Sequence, residues 1–214
     1  MRVAAIVVAA GTGERFGDRK QFCELAGQTA AARAVAASRS VADQVVLVAP
    51  ADALTDAHGA DLVVPGGATR SASVRAGLAA IDGDADVVVV HDAARPLASP
   101  GLFRSVLDAL VVTPGAAGAV PGLPVTDTLK LLAPGEARLV AATLDRTSVV
   151  AVQTPQAFVA EVLRRAHAAG ADATDDAALV EAIGGMVVVV DGEAKNRKVT
   201  TREDLDGLAA ELDR

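Results

Sequence analysis

Unbroken runs of small aliphatic residues recur along the chain at intervals that leave room for a helix between many of them. They stand at Val3–Val8, Val45–Val48, Leu62–Val64, Val87–Val90, Ala116–Val120, Val149–Val152 and Met186–Val190. Several are uninterrupted and not alternating, the pattern of strands covered on both faces of a sheet. Helix-period segments fall between them at Thr29–Ser38, Ser71–Ile81, Pro100–Leu110, Phe158–His167, Asp175–Ile183 and Arg202–Leu212. The last is preceded by Thr200-Thr201-Arg202-Glu203, read as a T-x-x-E capping box. This alternation predicts an α/β protein, a Rossmann-like three-layer α/β/α sandwich with a mostly parallel sheet. A length of 214 residues suits a single domain over 1–214.

One stretch breaks the pattern. Pro121–Thr147 is long and turn-rich, with two short β-like pieces, Thr128–Leu132 and Arg138–Ala142, around a turn at Pro134–Glu136. It reads as a β-hairpin arm inserted into the sandwich. An arm of this kind has little of its own domain to pack against, so the expectation is a homodimer.

In open α/β sheets ligands bind beyond the carboxyl ends of the strands. Three loops therefore carry the functional expectation: Ala9–Lys20, Gly66–Ser73 and His91–Pro96. In the first, "AAGTGERFGDRKQF", Ala9, Ala10 and Gly11 lack bulky side chains, so backbone N–H groups can approach an anion. Arg15 offers a planar fork to phosphate oxygens and Lys20 a point charge. The loop is not a Walker A motif, because no Lys-Ser/Thr pair follows its glycines. Nor is it a dinucleotide fingerprint: the third glycine is missing and no acidic residue ends the second strand. In the second loop Arg70 and Ser73 lie near a helix start, where anions and polar ligand edges are favoured. In the third, Asp92 stands at a strand end, a usual place to coordinate Mg²⁺ or hold a sugar hydroxyl.

Composition narrows the field. There is no Trp or Tyr and only four Phe, which argues against aromatic nucleic-acid-binding platforms. A net charge of −7 argues against non-specific binding to DNA or anionic membranes. With Cys23 the only cysteine, no intrachain disulfide forms. His58, His91 and His167 form no metal-binding pair, and His91 reads as a structural histidine. No apolar run is long enough to span a bilayer, and a cytoplasmic location is expected.

Taken together, "AAGTGERFG" and "KQF", "GGATRSASVRAGL", "VHDAARP", "PVTDTLK", "LDRT", "QTPQAF", "TDDAALVE" and "NRKVTTREDL" resemble a known set of motifs, in order over nearly the whole chain. They resemble the nucleotidyltransferases that build nucleotide-activated sugars and polyols, above all the 2-C-methyl-D-erythritol 4-phosphate cytidylyltransferases. The resemblance implies transfer of CMP from CTP to the polyol phosphate, with Mg²⁺ as cofactor and pyrophosphate as leaving group. It implies catalytic roles for Arg15, Lys20 and Lys198. It places Ala9, Ala10, Gly11, Gly67, Ala68, Arg70, Ser73, Asp92 and Ala93 around the nucleotide, with Asp92 also near the metal. It assigns Asp92, Arg95, Thr128, Arg146, Thr154 and Thr174 to the acceptor pocket, with arm residues reaching it from a neighbouring subunit. Some relatives carry acidic residues where Ala68 and Ala72 stand, so side-chain contacts from those positions are not carried over. Asp175 and Asp176 read as helix caps in preference to a metal pair. The main alternative is a cytidylyltransferase for another polyol phosphate such as ribitol 5-phosphate. More distant ones are a nicotinamide-dependent oxidoreductase and a non-catalytic nucleotide-binding regulator.

Overall fold

The structure, a computed structural model, describes residues 1–11, 19–135 and 138–212, with Lys20 described in its backbone alone. The chain begins with β1 (Val3–Val8), a short 3-10 turn at Lys20–Phe22 and a small ribbon of β2 (Glu24–Leu25) and β3 (Gln28–Thr29). Next come α1 (Ala30–Arg39), β4 (Gln44–Ala49), β5 (Leu62–Pro65), α2 (Arg70–Ala80), β6 (Val87–Asp92) and α3 (Pro100–Val112). The long β7 (Ala116–Pro124) leads into the arm, β8 (Lys130–Leu132) and β9 (Val140–Thr143). The rest comprises β10 (Val150–Val152), β11 (Gln156–Val159), α4 (Ala160–Ala168), α5 (Asp176–Ala182), β12 (Met186–Asp191) and α6 (Arg202–Leu212).

The main sheet has the order β5-β4-β1-β6-β11-β7-β12. Strands β5, β4, β1 and β6 are parallel neighbours, β12 is parallel to β7, and β11 is antiparallel to both β6 and β7. Gly122 of β7 pairs with Val152 on one edge and Asp191 on the other, so β10 continues β11 along the same edge of β7. The period of two in β1 divides the core. Val3, Ala5 and Val7 face Ala31 and Val35 of α1 and Phe103 and Val106 of α3. Ala4 and Ile6 face Val74 and Leu78 of α2 and Leu163 of α4. The predicted sandwich is therefore present, and its mostly parallel sheet holds one antiparallel central strand. No helix among the described residues is long and apolar enough to cross a membrane.

Four local expectations change. Phe158 does not open a helix; it is a fully buried residue of β11, and the helix begins two residues later. Val150–Val152 is exposed and not enclosed by two layers; β10 pairs with Gly122–Pro124, the end of β7 that leads into the arm. The arm is shorter than 121–147: Pro121–Pro124 pair within the main sheet as the end of β7. The cap of α6 is shifted by one residue. Asp204 accepts from the Thr200 and Thr201 N–H groups at 2.7 and 2.8 Å, and Thr201 Oγ1 accepts from the Asp204 N–H at 3.2 Å. Thr201–Asp204 is thus the reciprocal box, with aspartate doing what Glu203 was expected to do.

Helix α2 packs on β1 with little space to spare. A Cβ added at Gly77 would lie 2.7 Å from Ile6 Cγ2, on a side chain that is fully buried and stiff at its branch point. Helix propensity alone favours Gly77→Ala by about 1 kcal/mol. Overpacking opposes it by roughly 1–3 kcal/mol and is expected to win, so the variant should melt below the wild type in a thermal unfolding experiment.

Candidate active site

Strand β6 carries a fully buried Val87–Val90 run and delivers His91 and Asp92 to its carboxyl end. Flanked there by β1 and β11, it opens into a cleft of about 230 Å³ whose lining includes Arg70, Asp92, Arg95, Thr154, Thr174 and Lys198. This is the sheet edge that the strand pattern pointed to.

Asp92 is the electrostatic centre. Arg70 Nε donates to its Oδ1 at 3.1 Å and Lys198 Nζ donates to its Oδ2 at 2.7 Å. Burial alone would raise the Asp92 pKa, but the two adjacent cations outweigh it and hold the carboxyl well below the usual carboxylate range. The two cations differ. The Lys198 side chain is 41 % exposed, whereas Arg70 is 20 % exposed and also donates through Nη1 to Asp176 at 2.7 Å. Arg70 stays protonated: burial opposes its charge, but Asp92 and Asp176 more than compensate.

The backbone and neighbours of Asp92 are fixed as well. Its N–H donates to Thr154 Oγ1 at 3.0 Å, so the Thr154 hydroxyl proton is left for His91 Nδ1, also at 3.0 Å. His91 Nε2–H then donates to the Arg95 carbonyl at 3.2 Å. This arrangement requires the neutral imidazole, and burial agrees, pushing the His91 pKa down to about 4. His91 is therefore the structural histidine expected. Thr154 lines the cleft, but its hydroxyl is taken up in orienting His91 and Asp92.

Lys198 reaches the cleft on a loop that the sequence reading left without supports. Gln153 Oε1 accepts from the Glu193 N–H at 3.0 Å, and its Nε2 donates to the carbonyls of Glu193 and Asn196 at 3.0 and 3.2 Å. Fully buried Asn196 donates to the Thr154 carbonyl at 2.8 Å. Arg95 Nη1 adds a bond to the Asn196 carbonyl at 2.8 Å, and its Nη2 reaches the Val152 carbonyl at 3.3 Å. Arg95 thus lines the cleft while tying two backbone segments together. The signal for Gln153 and Asn196 was present in "QTPQAF" and "NRKVTT", as amides beside functional residues, but amides have no charge to mark them out.

On the nucleotide side, Thr69 caps α2 by accepting from the Ala72 N–H at 3.0 Å, so the helix starts at Arg70. Ser73 is buried and organises the turn, accepting from the Gly67 N–H at 3.2 Å and donating to the Thr69 carbonyl at 3.0 Å. A Cβ at Gly66 would fall 2.2 Å from Ala10 Cβ, and one at Gly67 would fall 2.4 Å from Ala72 Cβ. The missing side chains let the Gly66–Gly67 turn pack closely between the loop after β1 and the first turn of α2. Ala68 lies in the turn between them. The Ala9 N–H, expected to face phosphate, instead donates to the Val48 carbonyl at 2.8 Å. The Ala93 N–H likewise goes to the Val8 carbonyl at 3.0 Å. Of the Ala9–Gly11 amides, those of Ala10 and Gly11 remain as candidate anion donors. Gly11 is anchored through its carbonyl, which accepts from Gln21 Nε2 at 3.0 Å. Arg15 and the Lys20 side chain lie outside the described residues.

Two residues that the resemblance assigns to the acceptor pocket lie elsewhere in this chain. Thr128 is exposed just before β8, and Arg146, also exposed, donates to the Thr126 carbonyl at the base of the arm. Neither lines the cleft. Asp175 caps α5 by accepting from the Ala178 N–H at 3.1 Å, but Asp176 is buried in ion pairs and is not a cap. Among the described residues no cluster of three His, Cys, Asp or Glu side chains could hold a metal by itself.

A family model for IspD: 2-C-methyl-D-erythritol 4-phosphate cytidylyltransferase matches residues 3–213. The chain belongs to this family. It is 46 % identical over 220 residues to a bifunctional enzyme IspD/IspF of Clavibacter michiganensis, covering 95 % of this chain and 53 % of that protein. It is 46 % identical over 223 residues to the 2-C-methyl-D-erythritol 4-phosphate cytidylyltransferase of Saccharopolyspora erythraea, covering 96 % of each. The crystal structure of the Thermus thermophilus 2-C-methyl-D-erythritol 4-phosphate cytidylyltransferase matches with a TM-score of 0.81 at 37 % identity, covering 98 % of both chains. The chain thus spans about half the length of the bifunctional relative and nearly all of the other two.

The state of His91 links the site to stability. Between its ordinary pKa of 6.5 and its depressed value of about 4, the folded imidazole is neutral while the unfolded one takes up a proton. Stability is therefore lost as pH falls through that window, by up to about 3 kcal/mol. His91→Gln should flatten this part of the melting-temperature profile between pH 7 and 4.5. The Asp92 contribution has the same sign but is lost only as pH falls below its ordinary value of 3.8.

Proposed function

We propose that this chain transfers CMP from CTP to 2-C-methyl-D-erythritol 4-phosphate, releasing pyrophosphate and forming 4-diphosphocytidyl-2-C-methyl-D-erythritol. One observation carries the reading. In a chain of the IspD family, an ionised aspartate at the carboxyl end of the central strand is paired with one half-buried cation and one exposed cation.

The chemistry fits that pairing. The acceptor phosphate is an oxyanion at neutral pH and needs no protein nucleophile or strong general base. What the reaction needs is two polyanions held together and the charge developing on the α-phosphoryl group and leaving pyrophosphate offset. Lys198 moves from Asp92 to the phosphates, gaining a stronger anionic partner at small conformational cost because its side chain is already half in solvent. Arg15 and Lys20 supply further positive charge from the loop after β1, with the Ala10 and Gly11 amides beside it. Gly67, Ala68, Arg70, Ser73 and Ala93 shape the nucleotide side. Arg95, Thr154 and Thr174 frame the acceptor side. Magnesium suits this donor set. One ionised carboxylate with an exchangeable partner on Oδ2, together with triphosphate oxygens, is a common way to hold the ion, and no all-protein cage is required. Held by Asp92, the ion would supply charge neutralisation on the transferring and leaving phosphates.

We further propose a homodimer through the arm. Leu131, Leu132, Leu139 and Val140 are 47–54 % exposed and close together on β8, β9 and their connection, a patch that a second copy would cover. Thr128 and Arg146, which do not line this chain's own cleft, would then serve the partner's acceptor site. Sedimentation as a monomer at micromolar concentration would remove this proposal.

Two measurements test the reaction. Pyrophosphate release should require CTP, Mg²⁺ and 2-C-methyl-D-erythritol 4-phosphate together; release with ribitol 5-phosphate alone would reassign the acceptor. Lys198→Ala should lower kcat by about 10²–10³, equivalent to about 3–4 kcal/mol of barrier, as for the loss of one preorganised charge donor. A raised KM with kcat retained would assign Lys198 to substrate binding alone.

A further inference from the structure

Arg70 is held from two sides, and only one of them belongs to the cleft. Its Nη1 donates at 2.7 Å to Oδ2 of Asp176, a carboxylate with no exposed surface. Oδ1 of Asp176 accepts in turn from Nε2 of His167 at 2.9 Å, and the His167 side chain is 2 % exposed. The first residue of α5 and the last turn of α4 thus meet beneath the start of α2. Asp176 is not needed as a helix cap, because Asp175 fills that role. A fully buried carboxylate is expensive to maintain and is weak evidence for stability in itself. Its chemical consequence here is geometric. A guanidinium is rigid and planar, so fixing Nη1 on one carboxylate fixes the direction in which Nε points at the other.

We propose that Asp176, backed by His167, is a positioning residue that anchors Arg70, so that Asp92 keeps its orientation when Lys198 leaves it for the triphosphate. The proposal rests on the cytidylyltransferase reading of the cleft. The asymmetry of the two cations motivates it. Lys198 is 41 % exposed and bonded to Asp92, whereas Arg70 is 20 % exposed and spans two carboxylates. Without Asp176, the half-buried guanidinium would have Asp92 as its remaining carboxylate partner, and could swing to take both oxygens. Lys198 would then lose its resting partner, and the carboxylate would turn away from the substrates.

Pyrophosphate release is compared across Asp176→Asn, Arg70→Lys and the double variant. Asp176→Asn should lower kcat about 10- to 100-fold while changing the KM for CTP less than about 3-fold, and should add almost nothing in the Arg70→Lys background. Losses that multiply in the double variant would overturn the proposal, because Asp176 would then act independently of Arg70. The Arg70 Nε–H resonance of ¹⁵N-labelled protein, assigned by its disappearance in Arg70→Lys, gives a readout that needs no turnover. It should shift or broaden in Asp176→Asn, and an unmoved signal would likewise overturn the anchoring. If Asp176→Asn does not fold, the His167 pair decides. His167 Nδ1 has no partner among the described residues, so only the Nε2 donor has to be replaced. His167→Gln should keep kcat within about 3-fold of wild type, and His167→Leu should lose roughly 5- to 20-fold and displace the Arg70 signal. Equal kcat and an equal Arg70 signal in the two would sink the idea. Absence of turnover in the wild type would refute the reaction instead, and the Arg70 signal in the same variants would still decide the anchoring.

Discussion

A carboxylate buried at the end of β6 survives as an anion only because two cations reach it, and the rest of the site is arranged to bring them there. Arg70 comes from the start of α2, Lys198 from the loop after β12, and Thr154, which holds the Asp92 backbone, from the corner between β10 and β11. Asp92 and Lys198 are 106 residues apart in sequence. The pairing of β11 with β6 and β7, and of β12 with β7, brings the two residues to one edge of the sheet. Desolvating one charge without its partners is costly, so the site and the sheet edge depend on each other.

The segments that deliver Arg70 and Lys198 to Asp92 are built by different means. On the Arg70 side, absent side chains matter: Gly66 lies against Ala10, and Gly67 against the first turn of α2, at distances that leave no room for a Cβ. On the Lys198 side, neutral amides do the work. Gln153 and Asn196 satisfy the backbone of an irregular loop that would otherwise bury unpaired N–H and C=O groups. The first is held by close backbone packing, and the second gives Lys198 a fixed base.

Much of the architecture was legible in local pattern. Val3–Val8 and Val87–Val90 read as buried strands because each has an apolar neighbour on both faces. Strand β11 was missed for a physical reason. Gln156–Val159 runs into α4 without a turn, and Val159 at the helix boundary makes no side-chain cap, so nothing marks the change of period. Val150–Val152 has strand composition but lies outside the layers, a distinction that composition does not encode. Among site residues, Asp92, Arg70 and Lys198 were identifiable through their motifs, yet their mutual pairing was not. The Ala9 amide is not free for an anion because the first N–H beyond β1 still bonds to the neighbouring strand, at Val48 of β4.

The sequence by itself determined the alternation of strands and helices, the edge of the sheet where chemistry would gather, and the charged residues available to it. These follow from repeats of two and 3.6 residues and from side-chain type, both local properties. Only the tertiary structure decided which cation meets which carboxylate: that Asp176 lies under Arg70, not at a helix cap, that Thr154 orients Asp92 through its amide, and that Arg95 braces the Lys198 loop. Those partners are brought together by sheet order and helix packing across 62 to 106 residues, a distance over which no local periodicity carries information.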